Sequence, residues 1–353
     1  MRDNGVSIAK GIAIILMVLG HARCPEAINS YLGMMHMPLF FFMSGYCFKE
    51  KYLDNSFPYM KRRVTGIYWP YLKWSLFFLM IHNLCFYANI YSDEYGFHGR
   101  TSILYTTSDY IQHAISIVTK MQGHERLLGG FWFLKSLFVG SLIFYVTRRV
   151  VHSPYISIPL LMALTVFLSF LNWKIPYFVI GARETLGALF LMVGHVYKTY
   201  NFKVHQNNYF VVLALVFVGI GSIYWPTTMR SFTYINVMPY ALTSIIGTLA
   251  LFKVGIFVAN STESLVFRFL DYVGRYTFNV LTWHFLSMKL VSLVIIYIYG
   301  LPIKQLSEFP VIEQYATQGW WIVYLIIGVG VPVGGTYLYH TLREKINHNI
   351  CKQ

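Results

Sequence analysis

"HMPLFFFMSGY", residues His36–Tyr46, is apolar enough to belong in a lipid bilayer, yet it keeps a histidine, a proline, a serine and a glycine. Pro38 resolves part of that tension. In the first turn of a helix its missing N–H costs nothing, so the spacing predicts a helix that begins at His36 and leaves the imidazole at its mouth. Two turns deeper, Ser44 and Gly45 are small enough for a second helix to approach closely. The preceding apolar run ends at His21, and the short connection predicts an antiparallel hairpin with both histidines in the same half of the membrane.

The rest of the chain has the same character. Hydrophobic residues make up 56% of the 353 and charged residues only 12%, which excludes an ordinary soluble domain. At roughly 20 apolar residues per crossing there is room for about ten membrane helices and little else. The apolar runs fall at roughly 5–23, 31–48, 64–88, 129–147, 154–171, 178–197, 208–224, 234–252, 276–299 and 318–340. None alternates with the period of a β-barrel strand. The expected fold is therefore an all-α bundle of about ten transmembrane helices forming a single transmembrane domain over 1–353, with no soluble domain. Lys10 precedes the first apolar core as in a signal peptide, but "HARCPEA" offers no small-residue cleavage site, so the run reads as a membrane helix.

Basic residues set the expected orientation. With both termini in the cytoplasm, about seventeen lysines and arginines fall on inner segments. About seven fall outside: Arg23, Arg100, Lys120, Arg126, Lys174, Arg230 and Lys304. This sorting accounts for most of the formal charge of +14 without any nucleic-acid partner. The long connection 89–128, with its polar stretch "YSDEYGFHGR", is expected outside, and a loop of that length usually has a function of its own. The cysteines at 24, 47, 85 and 351 lack the close paired spacing of a metal or redox site, so no metal is expected and the thiols read as apolar filler.

Lipid should have excluded several residues that remain. Lys10 and His21 lie eleven positions apart on the first helix, about 16 Å and close to three turns, so they share a face. Arg183 and Glu184 open the sixth run, where they read equally as a structural ion pair or as part of a site. Asn279, His284 and Lys289 lie along the ninth. Charges inside a bilayer cost about 2.5–3.5 kcal/mol each on insertion scales and normally face a protein interior or wet cavity, so a polar cavity in the bundle is expected. Bland roles are expected elsewhere: Lys10 alone could snorkel to lipid phosphate, Lys73 and Lys135 could reach a surface, and His82 and His195 could be interfacial. Three intramembrane imidazoles, His21, His36 and His284, instead suit proton transfer near neutral pH.

These segments carry a resemblance. "KGIAIILMVLGHA" (Lys10–Ala22), "HMPLFFFMSGYCF" (His36–Phe48) and "KRRVTGIYWPYL" (Lys61–Leu72) are followed by "GGFWFLKSLFVG" (Gly129–Gly140), "ARETLGALFLMVGHVYK" (Ala182–Lys198) and "VGRYTFNVLTWHFL" (Val273–Leu286). In this order they resemble the acyltransferase 3 family of bacterial integral membrane O-acyltransferases. The resemblance implies ten spans in a bacterial plasma membrane and transfer of an acyl group, most often acetyl, from cytoplasmic acetyl-CoA to a hydroxyl of a cell-surface or lipid-linked glycan. Within it, Lys10 and His21 match the family's basic-residue and histidine pair, and Arg62 or Arg63 its basic pair before the third span. If Arg63 is the first of that pair, Gly66 stands where a second arginine is usual, and the soluble esterase-like domain of some O-antigen acetylases is not expected here.

The residue chemistry agrees. A sugar hydroxyl attacking a thioester needs a base and cations for the CoA phosphates, and no metal. The expected assignments are His21, His36 and Glu184 for catalysis, with His21 as base, and Lys10, Arg62 and Arg63 for acetyl-CoA. Arg183, Trp132, Asn279 and His284 are expected to bind the acceptor saccharide. A secondary transporter for a polar solute is the rival reading, but the inverted repeats and paired broken helices of such carriers are not visible.

Overall fold

The computed structural model describes residues 3–203 and 207–350; Arg2, Cys351 and Lys352 lie outside the described residues. Their regular structure is helical, with no strand beyond two isolated bridges. In order the helices are α1 Asn4–His21, α2 Glu26–Gly33, α3 His36–Tyr46, α4 Lys51–Asp54, α5 Ser56–Arg63, α6 Trp69–Met80, α7 His82–Tyr87, α8 Thr107–Lys120, α9 Trp132–Val150, α10 Pro154–Phe170, α11 Ala182–Thr199, α12 Asn208–Tyr224, α13 Val237–Ala259, α14 Leu265–Arg275, α15 Thr277–Tyr299, α16 Glu313–Tyr315 and α17 Trp321–Ile350.

Four helical stretches are long and apolar enough to cross a membrane unaided: Asn4–His21, Val237–Ala259, Thr277–Tyr299 and Glu313–Ile346. The remaining apolar runs are shorter, interrupted or charged, for local reasons. The run at 31–48 is not continuous. It divides at Met34–Met35, where Met35 leaves helical geometry (φ −132°), and α3 starts at His36 with Pro38 in its first turn. The run at 64–88 is divided as well. A π-helical turn, Val64–Tyr68, leads into α6, and Ile81 separates α6 from α7. Helix α9 carries Lys135, Arg148 and Arg149, and α11 carries Arg183, Glu184 and Lys198. Several apolar helices thus make this a multi-pass membrane protein.

Helix α11 is central, with most of its residues buried, and α3 and α9 pack along it. The α3–α11 crossing is a backbone contact. A β-carbon at Gly45 would lie 1.9 Å from the Leu191 carbonyl oxygen, and one at Gly194 would lie 2.0 Å from that of Phe42. Helix α1, capped at its start by the Asp3 carboxylate accepting the Val6 N–H, runs between α3, α13 and α14.

The 89–128 connection is not an unstructured loop. It contains α8, whose Thr106–Asp109 capping box fixes its start. Helix α8 lies against α6, and near its end the Tyr68 hydroxyl donates to the Val118 carbonyl (2.9 Å). The Ile111, Ile115 and Val118 side chains face outward from this packed pair. The segments on both sides of α8 are pinned by His82, which bonds Glu125 (3.1 Å) through one ring nitrogen and the Ile103 carbonyl (2.9 Å) through the other. His82 is therefore a buried anchor within the protein. His195 is buried as well, with Nε2 2.9 Å from Glu50. Cys24, Cys47 and Cys85 are free thiols.

Candidate active site

A cavity of about 1180 Å3 opens beside the last residue of α1. Its walls come from segments far apart in sequence: the 97–100 and 121–126 parts of the long connection, the start of α9, the 172–184 turn into α11, residues 230–234, and Phe285 with Phe309. His21, Trp132, Arg183 and Glu184 all line it.

His21 is half-buried and held by ring contacts. It stacks on His284 (centroids 5.5 Å, 26°) and tilts against Phe285 (4.8 Å). No side chain among the described residues hydrogen-bonds its ring nitrogens. His36 lies within electrostatic reach, as the hairpin predicts, but its Nδ1–H donates to the Leu32 carbonyl of its own chain turn. Glu184 is occupied too: Oε1 accepts from the Ser136 hydroxyl and Oε2 from the Gly181 N–H, each at 2.9 Å. The Glu184 carboxylate thus caps α11. Neither His36 nor Glu184 orients His21 through a hydrogen bond.

His284 comes closer to His21 than sequence spacing suggested. It is fully buried, and its Nδ1–H points at the Val280 and Leu281 carbonyls, each at 3.0 Å. That bonding leaves a lone pair on Nε2, which is buried and has no partner among the described residues.

Arg183 does not pair with Glu184. Its guanidinium sits over the Trp132 ring (5.0 Å), and Nη2 donates to the Arg230 carbonyl (3.4 Å). Lys135, which could have snorkelled to a surface, is instead buried at the cavity wall. Its ammonium donates to the Phe178 and Val179 carbonyls (2.7 and 3.3 Å). Asn279 lies elsewhere. It donates to Thr336 Oγ1 (2.9 Å) in a second, mostly apolar cleft of about 980 Å3 between α6, α15 and α17, which Lys73 and Lys289 also line.

Arg126, Arg230, Tyr71 and Ser75 also line the main cavity, and sequence reasoning did not single them out. For the two arginines a signal existed: both lie among the few basic residues expected on the outer side, where positive-inside sorting disfavours them. For Arg126, burial lowers the pKa and the neighbouring Tyr91 and Tyr105 oppose the shift. His124 is lowered by burial and by the charge of His113.

At the opposite end of α1, Lys10, Arg63 and Lys198 lie within charge reach of Cys47, together with the Asp3 carboxylate. Arg63 donates to Ser44 Oγ (2.8 Å) and lies over Tyr59 (4.7 Å), while Arg62 is exposed beside Tyr52 (5.8 Å). Among the described residues no three His, Cys, Asp or Glu side chains gather as metal ligands.

The basic cluster and His21, in the wall of the polar cavity, thus lie at opposite ends of α1. Residues 3–340 match the acyltransferase 3 family, an acyltransferase domain. The chain belongs to that family, and membrane acyltransferase activity follows as the general class. No curated protein and no solved structure matches it.

Proposed function

We propose that the protein moves an acetyl group from cytoplasmic acetyl-CoA to a hydroxyl of a cell-surface or lipid-linked saccharide. The observation that carries this reading is the placement of α1, with Lys10 in the basic cluster around Cys47 and His21 in the cavity wall. Clustered cations suit the CoA phosphates, and an imidazole beside a roomy polar cavity suits an acceptor hydroxyl.

In this reading the acceptor hydroxyl oxygen bonds to the thioester carbonyl carbon as the carbon–sulfur bond breaks. His21 takes the hydroxyl proton and returns it to the departing CoA thiolate. His284 and Phe285 hold the His21 ring by stacking. Lys10, Arg62 and Arg63 receive the donor phosphates; Trp132 and Arg183 receive the saccharide, and Glu184 shapes the wall by capping α11. His36, held by the Leu32 carbonyl, positions the acceptor. Family membership favours this reading over a solute carrier.

The reading includes ten spans, with both termini and the 49–63 segment cytoplasmic, residues 89–128 external, and a bacterial inner-membrane location. That arrangement places the basic cluster at the donor side and the cavity at the acceptor side. Two experiments test it. A cysteine introduced at Gly99 should react with an impermeant thiol reagent added outside, and one at Ser56 should not. Detergent-purified protein should turn over acetyl-CoA, and glycans from a deletion strain should be lighter than the parent's by one acetyl per modified sugar. No acetyl-CoA turnover and unchanged glycan masses would reject the reading.

A further inference from the structure

We infer that the acceptor is anionic: it carries a carboxylate or phosphate close to the hydroxyl that is acylated. The inference rests on the acetyl-transfer reading for the word acceptor, but its physical basis is the cavity wall. Six cationic side chains line that wall: Arg100, Arg126, Lys135, Lys174, Arg183 and Arg230. Only two carboxylates, Glu125 and Glu184, share it. Both are already committed, Glu125 to His82 and the Tyr91 hydroxyl (2.9 Å), Glu184 to Ser136 and the Gly181 N–H. Among the described residues, none of the six cations is in a salt bridge.

The distribution of charge along the chain makes this more than a generic basic surface. About seven basic residues are expected outside, and Arg100, Arg126, Lys174 and Arg230 of those line this one cavity. Residues answering to lipid headgroups would ring the bundle; these converge from separate segments of the chain. Arg183 adds a direct sign of an unmet need, because its Nε is buried without a hydrogen-bond partner among the described residues. A cluster with six cations to two carboxylates, partly withdrawn from water, is stabilised by an anion that accepts its N–H groups.

The neutral part of the wall fits the rest of a saccharide. The Tyr71 and Ser75 hydroxyls, one turn apart, are buried at the cavity with no hydrogen-bond partner of normal geometry among the described residues. Phe131, Trp132 and Phe285 supply apolar surface beside them. Cations, hydroxyls and aromatic rings in one wall, with His21 among them, define a pocket for a charged sugar unit rather than a neutral one.

The test uses the unacetylated surface glycan from a strain lacking the protein, presented in three forms: untreated, carboxyl-reduced, and stripped of phosphate with hydrofluoric acid. Binding to the detergent-purified full chain is read by thermal stabilisation at low and high salt, and labelled acetyl transfer from acetyl-CoA is read in parallel. One treatment should weaken binding about tenfold or more, and high salt should do the same to the untreated form. Which treatment acts separates a sugar carboxylate from a phosphate. Arg183→Gln and the exposed Arg230→Gln should lose a similar factor on the untreated glycan and lose little on the neutralised one, with acetyl-CoA affinity unchanged. Equal binding of all three forms overturns the inference even if acetyl transfer is observed. Charge-selective binding without acetyl-CoA turnover leaves the anion site standing and overturns the transfer reading alone.

Discussion

The α3–α11 crossing and the cavity beside His21 both draw on α11, the crossing on its later turns and the cavity on its first, and they are packed in opposite ways. At the crossing, Gly45 and Gly194 bring backbone against backbone, with no room for a methyl group. At the cavity, the starts of α11 and α9 present Arg183, Glu184, Trp132 and Lys135 to open space, although the two helices themselves stay close, with Ser136 bonding Glu184 at 2.9 Å. Close packing makes one end rigid, and a polar wall that cannot collapse leaves the other end open. The contrast teaches that damage to the two regions should be separable: one carries stability, the other chemistry.

The sharpest way to break that contrast is His21→Gln. Loss of a general base costs roughly a hundred- to ten-thousand-fold in rate. Acetyl-CoA turnover should fall by that order while thermal stability and donor binding stay at wild-type levels. Turnover by the wild type should also decline on acidification, because an imidazole already protonated cannot accept the hydroxyl proton. A fully active His21→Gln would move the search for the base to His284.

Next in size is Gly45→Ala. Forcing a β-carbon onto the Leu191 carbonyl should destabilise the fold by about 1–3 kcal/mol, measured by denaturant titration in detergent. Gly66→Ala is the matched control. Nothing lies within 4 Å of a β-carbon there, so stability should not fall. If Gly45→Ala instead lowered turnover without changing stability, the crossing would belong to the chemistry and the division would be wrong.

Removing the donor-side cations comes third. Arg62→Ala with Arg63→Ala should weaken acetyl-CoA binding about tenfold or more while slowing bound donor less. Most of the loss should come from Arg63, which Ser44 and Tyr59 hold in place, and little from the exposed Arg62. Isothermal titration of the single variants reads the split, and unchanged affinity in the double variant would reduce the cluster to a topology signal.

The smallest effect concerns the wall contributed by the long connection. Thr106→Ala removes half of the capping box of α8 and should cost about 1 kcal/mol. Hydrogen exchange should rise in the first turn of α8 and remain unchanged at α3 and α11. Spread of the change to α11 would mean that the two regions are coupled.

How much of this was legible in advance differs by residue. The start of α3 at His36 could be read from Pro38, because the preference of proline for a first turn is local. The closeness of His36 to His21 followed from a short hairpin. The break at Met34–Met35 left no mark, since methionine is compatible with helix and non-helix alike. Lys135 looked like a surface lysine until the Phe178 and Val179 carbonyls were found to meet it. Asn279 and His284 sit on one helix, yet only His284 reaches His21, because five residues of α-helix turn a side chain well away from its starting direction.

By itself, then, the amino-acid sequence determined the solvent, the helical class, the family and the shared face of Lys10 and His21, all consequences of hydrophobicity and helical period acting over one or two segments. Only the tertiary structure decided that residues near 21, 100, 126, 183, 230 and 285 meet around one cavity, that Glu184 caps a helix and leaves His21 alone, and that His284 stacks behind it. Those neighbours are chosen by which helices pack side by side. That choice depends on the summed fit of whole surfaces, which no local pattern of residues encodes.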